Sequence, residues 1–119
     1  MLPDETDLEI TPHELARLRD SANPPDFRLV DCREEDEFAL CRIDGAELVP
    51  LSRFAELAPA KLLASDDSAE TPVIIYCHHG MRSLQATGFL RERGHGRVWS
   101  LAGGIDLWST HVDPDVPRY

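Results

Sequence analysis

The chain has 119 residues, enough for one hydrophobic core and too few for two. Hydrophobic residues make up 42% and charged residues 29%, which reads as a soluble globular chain rather than a disordered one. A formal net charge of −10 argues against nucleic acid and anionic membranes as partners.

The first five residues, Met1 to Glu5, carry neither a basic region nor an apolar core, so no export signal is expected and the cytoplasm is the expected compartment. Leu8–Ile10 reads as a short strand. Thr11 is placed to cap a helix that has Pro12 at its first position, Glu14 completing a T-x-x-E capping box, and Leu15 and Leu18 on its buried face. Asn23–Asp26 breaks that helix. Phe27–Asp31 is a second strand, and Glu34–Leu40 a short acidic helix with Phe38 turned inward. Ala46–Val49 is a third strand. Phe54, Leu57, Leu62 and Leu63 suggest helix interrupted by Pro59, and Ser65–Thr71 reads as a polar loop.

Val73–Tyr76 is apolar on both faces and belongs in the middle of a parallel sheet. Its apolar run, continued to Cys77, is far too short to span a bilayer. Arg82–Arg93 is the clearest helix, with Leu84, Thr87 or Gly88, and Leu90-Arg91 about a turn apart, and Gly94 as its stop. Val98–Leu101 is the last strand. Gly103-Gly104 turns the chain into a helix through Leu107 and Trp108, and an extended tail follows over residues 112–119. This alternation predicts an α/β fold, a central parallel sheet with helices on both faces, as one domain over residues 1–119. Sites in such folds form at the carboxyl ends of strands, where Cys77 stands.

Cys77 is followed by His78, His79, Gly80, Met81, Arg82 and Ser83, a strand–loop–helix passage turning around Gly80. Such a turn gathers backbone N–H groups and a helix N-terminus around the sulfur, and Arg82 or a protonated histidine adds charge. These surroundings favour a thiolate, the reactive form of cysteine. The same cradle suits a terminal persulfide sulfur or an anionic donor.

Four segments resemble the rhodanese family, in its order and spacing. Leu29–Phe38 is similar to a D-x-R-E-x-x-E-F segment and Ile43–Ala46 to an H-I-P-G-A segment, with Arg42 and Asp44 in place of its histidine and proline. Val73–Ser83 resembles the catalytic strand and loop, and Leu101–Trp108 an L-x-G-G-x-x-x-W segment. The resemblance implies a three-layer rhodanese fold and sulfur transfer through a Cys77 persulfide, with the amides of His78 to Ser83 holding the sulfur. Under it, Arg82 helps bind an anionic donor such as thiosulfate, a thiophilic acceptor removes the sulfur, and no cofactor is needed. The tail from Val112 resembles tails of rhodanese domains fused to sulfur-carrier activating enzymes, which keeps a sulfur-carrier protein open as a partner. Cysteine phosphatases and arsenate reductases resemble C-x5-R. Here four residues separate Cys77 from Arg82, and the shorter loop suits a sulfur atom better than a phosphoryl group. A persulfide relay or regulatory module acting only with a protein partner remains a third reading.

Asp31 and Arg33 flank the end of the second strand on the same sheet edge as Cys77. They either orient the loop or donor, or form structural ion pairs, Arg33 with Glu37. Cys32 reads as a small core residue, with a resolving thiol as the alternative, and Cys41 reads as packing. Adjacent His78 and His79 are poorly placed to share a metal, so no metal is expected. His13, His95 and His111 are expected on the surface, Gly103-Gly104 in a tight turn beside the Cys77 loop, and Trp99 and Trp108 in the core or at its rim.

Overall fold

The computed structural model describes residues 2–22, 26–63 and 71–119. Most of the expected break at 23–26 and of the polar loop at 65–71 lies outside them. Among the described residues, five parallel strands form one sheet in the order β1 (Glu9–Ile10), β5 (Val98–Leu101), β4 (Val73–Tyr76), β2 (Arg28–Asp31), β3 (Glu47–Leu48). The central place predicted for Val73–Tyr76 is the observed one: all four residues are buried, and the strand pairs with β2 on one side and β5 on the other.

Period-two alternation divides the sheet's side chains between two cores. Leu29, Ile74, Tyr76, Trp99 and Leu101 face α1 (Pro12–Asp20) and the last helix, packing with Leu15, Leu18, Ile105 and Trp108. Val30, Val73, Ile75, Cys77 and Val98 face the other way, packing with Phe54, Ala58, Leu62, Ala86 and Leu90. Burying one such Leu or Ile contributes about 1.5–3 kcal/mol. Cys77 therefore projects from the end of the central strand toward the second core, and its neighbour Tyr76 toward the first.

The Thr11–Glu14 capping box is formed in both directions. The short acidic helix is α2 (Glu35–Leu40), and a 3-10 turn over Leu51–Arg53 leads into α3 (Phe54–Leu62). Pro59 does not interrupt α3: it removes one donor, but it sits on the exposed face and its own carbonyl still accepts from Leu63 N at 3.2 Å. Phe38 is only half-buried, and the Arg42 guanidinium lies over its ring at 4.3 Å.

The helix after Cys77 is α4 (Met81–Glu92), followed by Gly94 at φ +96°. Its buried face is Ser83, Ala86, Thr87 and Leu90, so of the expected face Thr87 and Leu90 are buried and Leu84 is not. Small residues let this helix sit close to the sheet, and Leu84 is left half-buried. The last helix is α5 (Gly104–His111). Trp99 and Trp108 are both in the core. His95 is fully buried, not on the surface, with Nδ1 accepting from Arg97 N at 3.3 Å. The tail is not simply extended. After a turn at residues 114–116, Val116 enters the first core, Arg118 pairs with Asp106 at 2.9 Å, and Tyr119 returns to the Cys77 loop.

Candidate active site

Cys77 directly follows β4, and Gly80, at φ +102°, reverses the chain into α4. A residue with a side chain is strained there, which is why glycine stands at the turn. The reversal points backbone amides back at the sulfur: Gly80 N donates to Cys77 Sγ at 3.1 Å and Ser83 N at 3.4 Å. The buried Ser83 hydroxyl lies 3.5 Å from the sulfur and 2.7 Å from Ser100 Oγ on the next strand.

Cys32 extends β2 alongside. Its amide donates to Tyr76 O at 3.0 Å, one register step beyond the Asp31–Tyr76 pair, which places it beside Cys77 in the second core. The Cys32 thiol beside it, the Ser83 hydroxyl and amide, and the Gly80 amide outweigh burial and hold Cys77 down at about 4, which favours the thiolate. Hydrogen bonding to that sulfur, with burial, pushes Cys32 far up and keeps it a protonated donor. Cys32 is buried in the second core, as expected of a small core residue. Its one sequence signal was its place at the end of the second strand, on the same sheet edge as Cys77.

A second layer braces the loop. Ile105 N and Asp106 N at the start of α5 donate to Cys77 O and His78 O at 2.9 and 3.2 Å. Gly104 allows this approach, since a Cβ there would sit on those same carbonyls. The turn expected at Gly103-Gly104 beside the loop is the observed one.

The rim is charged, and its pairing differs from the expected one. Arg33 does not pair with Glu37. It is fully buried and holds Asp31 through Nε at 3.0 Å and Nη2 at 2.7 Å, with Nη2 also donating to Cys41 O. Burial lowers Arg33, but the Asp31 carboxylate more than reverses this, and the guanidinium stays charged. Glu37 instead takes Arg82, with both carboxylate oxygens bonded, at 2.7 and 3.0 Å.

Tyr119 joins these two pairs: its hydroxyl accepts from Arg33 Nη1 at 2.9 Å and donates to Glu37 Oε2 at 2.7 Å. Its ring stacks on His78 at 4.0 Å, and His78 stacks on His79 at 3.9 Å. Burial first, then the neighbouring His79, lowers His78 toward the neutral form, and its Nε2 is buried without a hydrogen-bond partner. His79 and Met81 are exposed. Neither Glu37 nor Tyr119 was singled out as a site residue in the sequence. Among the described residues no group of three or more His, Cys, Asp or Glu could hold a metal ion.

A strand-end thiolate in an amide turn at the centre of a parallel sheet defines a cysteine-centred α/β domain. The family model described as "Rhodanese-like domain" matches residues 11–111, and the chain belongs to that family. It is 38% identical over 95 residues to a protein named "Sulfurtransferase" from Allochromatium vinosum, covering 80% of this chain and 83% of that protein. It is 32% identical over 111 residues to "Adenylyltransferase and sulfurtransferase MOCS3-2" from Zea mays, covering 92% of this chain but 23% of that protein. It spans only 23–34% of the length of the first curated relatives it matches. Among solved structures, "Human Single Domain Sulfurtranferase TSTD1" matches with a TM-score of 0.68 at 30% identity, over 87% of this chain and 96% of that one.

Proposed function

We propose that residues 1–119 form one sulfur-transfer domain in which Cys77 carries sulfane sulfur as a persulfide. The observation that carries this reading is the turn after β4, in which the N–H groups of Gly80 and Ser83 point at Cys77 Sγ and favour its thiolate. With thiosulfate as donor, the Cys77 thiolate attacks the outer sulfur, a new S–S bond forms, and the bond to the sulfonate sulfur breaks as sulfite leaves. A thiophilic acceptor, cyanide in the simplest assay, then takes the outer sulfur and regenerates the thiolate. Two half-reactions through one covalent intermediate give ping-pong kinetics. The amides of His78 to Ser83 line the loop that holds the persulfide, Arg82 and Glu37 stand at its rim, and Asp31 and Arg33 support it from below. The chemistry needs no cofactor. Three free cysteines suit a reducing compartment such as the cytoplasm. Among the described residues no helix is long and apolar enough to cross a membrane.

A second reading, a relay that passes sulfur to a sulfur-carrier protein, draws support from the relatives whose names join adenylyltransferase to sulfurtransferase.

The test is to incubate the protein with thiosulfate, and separately with a persulfide donor, digest it, and locate the added sulfur by mass spectrometry. Sulfur is expected on Cys77 and not on Cys32 or Cys41, and Cys77→Ser should lose transfer while keeping its fold. Hydrolysis of an aryl phosphate through Cys77, with no sulfur taken from either donor, would overturn the reading in favour of a cysteine phosphatase.

A further inference from the structure

The cations around the Cys77 loop are already neutralised. Arg82 spends two donors on the two oxygens of Glu37. Arg82, opposed by burial and helped by Tyr119, holds that carboxyl down at about 2, so it is ionised at any working pH. Arg33 is buried against Asp31, and Arg118 is bound to Asp106. His78, stacked under Tyr119 with an unpartnered buried Nε2, is poorly placed to carry a second proton. The exposed His79 faces Asp106, with Nδ1 at 3.9 Å. A dianion approaching the Cys77 thiolate therefore meets paired charges on a chain whose net charge is −10. Rim charge of this kind acts chiefly on encounter and binding of charged partners.

We propose that the Glu37–Arg82 pair, positioned by the Tyr119 hydroxyl, sets the donor class: sulfur reaches Cys77 from the persulfide of a thiol in preference to thiosulfate. This rests on the reading of Cys77 as the sulfur-accepting thiolate. The step balances without a further reactant. The Cys77 thiolate attacks the outer sulfur of R–S–SH, the new S–S bond forms, the old one breaks, and R–S⁻ leaves while Cys77 carries S–SH. No dianion has to be held beside the thiolate, and the amides of Gly80 and Ser83 that now face Sγ lie beside the incoming sulfur. Glu37 is then a specificity-determining residue, acting through the charge on Arg82. Tyr119 is a positioning residue, acting through Glu37.

The experiment measures persulfide loading of Cys77 by thiosulfate, by cysteine persulfide and by persulfidated albumin, in the wild type, Glu37→Gln and Arg82→Gln. The wild type is expected to load from cysteine persulfide with kcat/KM about a hundredfold above that for thiosulfate. Loading by persulfidated albumin alone also supports a thiol persulfide and makes the source a protein. Glu37→Gln keeps an oxygen to accept from the Glu34 amide and uncovers the Arg82 charge. It should lower KM for thiosulfate about tenfold with kcat little changed, while persulfide loading moves less than about twofold. Arg82→Gln uncovers Glu37 instead and should raise the thiosulfate KM by a similar factor. Because the two variants move in opposite directions, general loss of structure cannot imitate the result. Loading from thiosulfate as fast as from either persulfide, with KM unmoved in Glu37→Gln, overturns the inference and leaves the Cys77 reading intact. Failure of all three donors to load Cys77 overturns both.

Discussion

The sulfur side of the site and its rim are built in different ways. Around Cys77 Sγ the donors come from one run of residues, Cys77 to Ser83, and the fold contributes a partner thiol and a bracing helix start. Around Arg82 the contacts come from three distant places: Asp31 to Glu37 after β2, the start of α4, and Tyr119 at the far end of the chain. The groups that donate to the sulfur, the amides of Gly80 and Ser83, are neutral, and they favour the thiolate. The second region is made of opposed full charges, and under the inference above it selects what reaches the thiolate. Reactivity and selectivity are thus carried by separable residues, so a variant can change one and spare the other.

The largest expected effect lies beneath the rim. Arg33 and Asp31 have no solvent exposure at their side chains. Arg33→Ala would strand the Asp31 carboxylate in the interior and remove a donor to Tyr119, at an expected cost of about 3–5 kcal/mol. Urea denaturation measures this directly. A loss below about 1 kcal/mol would show that water reaches Asp31 and that the pair is not a structural base for the rim.

That same pair shows where sequence reasoning stops. The Arg33–Glu37 pairing was expected from their four-residue spacing, but the spacing rule holds within a helix, and α2 begins only at Glu35. At Arg33 the chain has left β2 and bends ahead of α2, so its side chain turns inward to Asp31 and leaves Glu37 for Arg82, 45 residues away. The Cys77 loop was legible because its conformation depends on consecutive residues, with glycine at the reversal and a helix immediately after. The central place of β4 was legible because all four of its residues are apolar or aromatic. Tyr119 carried no signal, since nothing in a polar, proline-containing tail states where its last aromatic ring will pack. The buried face of α4 was only partly legible: Thr87 and Leu90 are buried as expected, but close helix–sheet packing adds Ser83 and Ala86 and leaves Leu84 half-buried. His95 was misplaced because a histidine between two glycines looks like a loop residue, whereas it is fully buried with Nδ1 accepting from Arg97 N.

The separation of the two regions can be sharpened with pH. An isolated thiol with its ordinary value near 9 loses reactivity steadily as pH falls from 9 to 6, about tenfold per unit. Cys77 is held at about 4, first by the Cys32 thiol and then by Ser83 and Gly80 against the opposing effect of burial. A lowered acid keeps its anion above the lowered value and loses it as pH falls through that value. The rate of alkylation of Cys77 by iodoacetamide, a neutral reagent, should therefore be nearly flat from about pH 9 to 6, with its acid limb near 4. Cys32→Ala should move that limb upward. A limb that stays in place would remove Cys32 from the set of groups that make the thiolate. Glu37→Gln should shift the limb less than Cys32→Ala does, because Glu37 acts on the rim and not on the sulfur.

The smallest effect tests whether the tail belongs to the rim at all. Tyr119→Phe keeps the ring that stacks on His78 and removes only the hydroxyl that accepts from Arg33 and donates to Glu37. Tyr119 is 42% exposed, so water can take up part of what the hydroxyl leaves. The expected cost is about 0.5–1.5 kcal/mol, seen as a fall in Tm of about 2–6 °C. The Glu37 carboxyl, which Arg82 and then Tyr119 hold at about 2, should titrate somewhat higher once one of its donors is gone. Val116 in the first core and Arg118 on Asp106 anchor the tail independently, so Tyr119→Ala should leave the backbone in place and lose the ring stack as well. If Tyr119→Phe costs as much as Tyr119→Ala, the hydroxyl carries the whole contact and the stack on His78 is incidental. If both match the wild type in Tm and leave Glu37 unmoved, the tail rests on the loop without supporting it, and the rim is complete with Arg33, Glu37 and Arg82 alone.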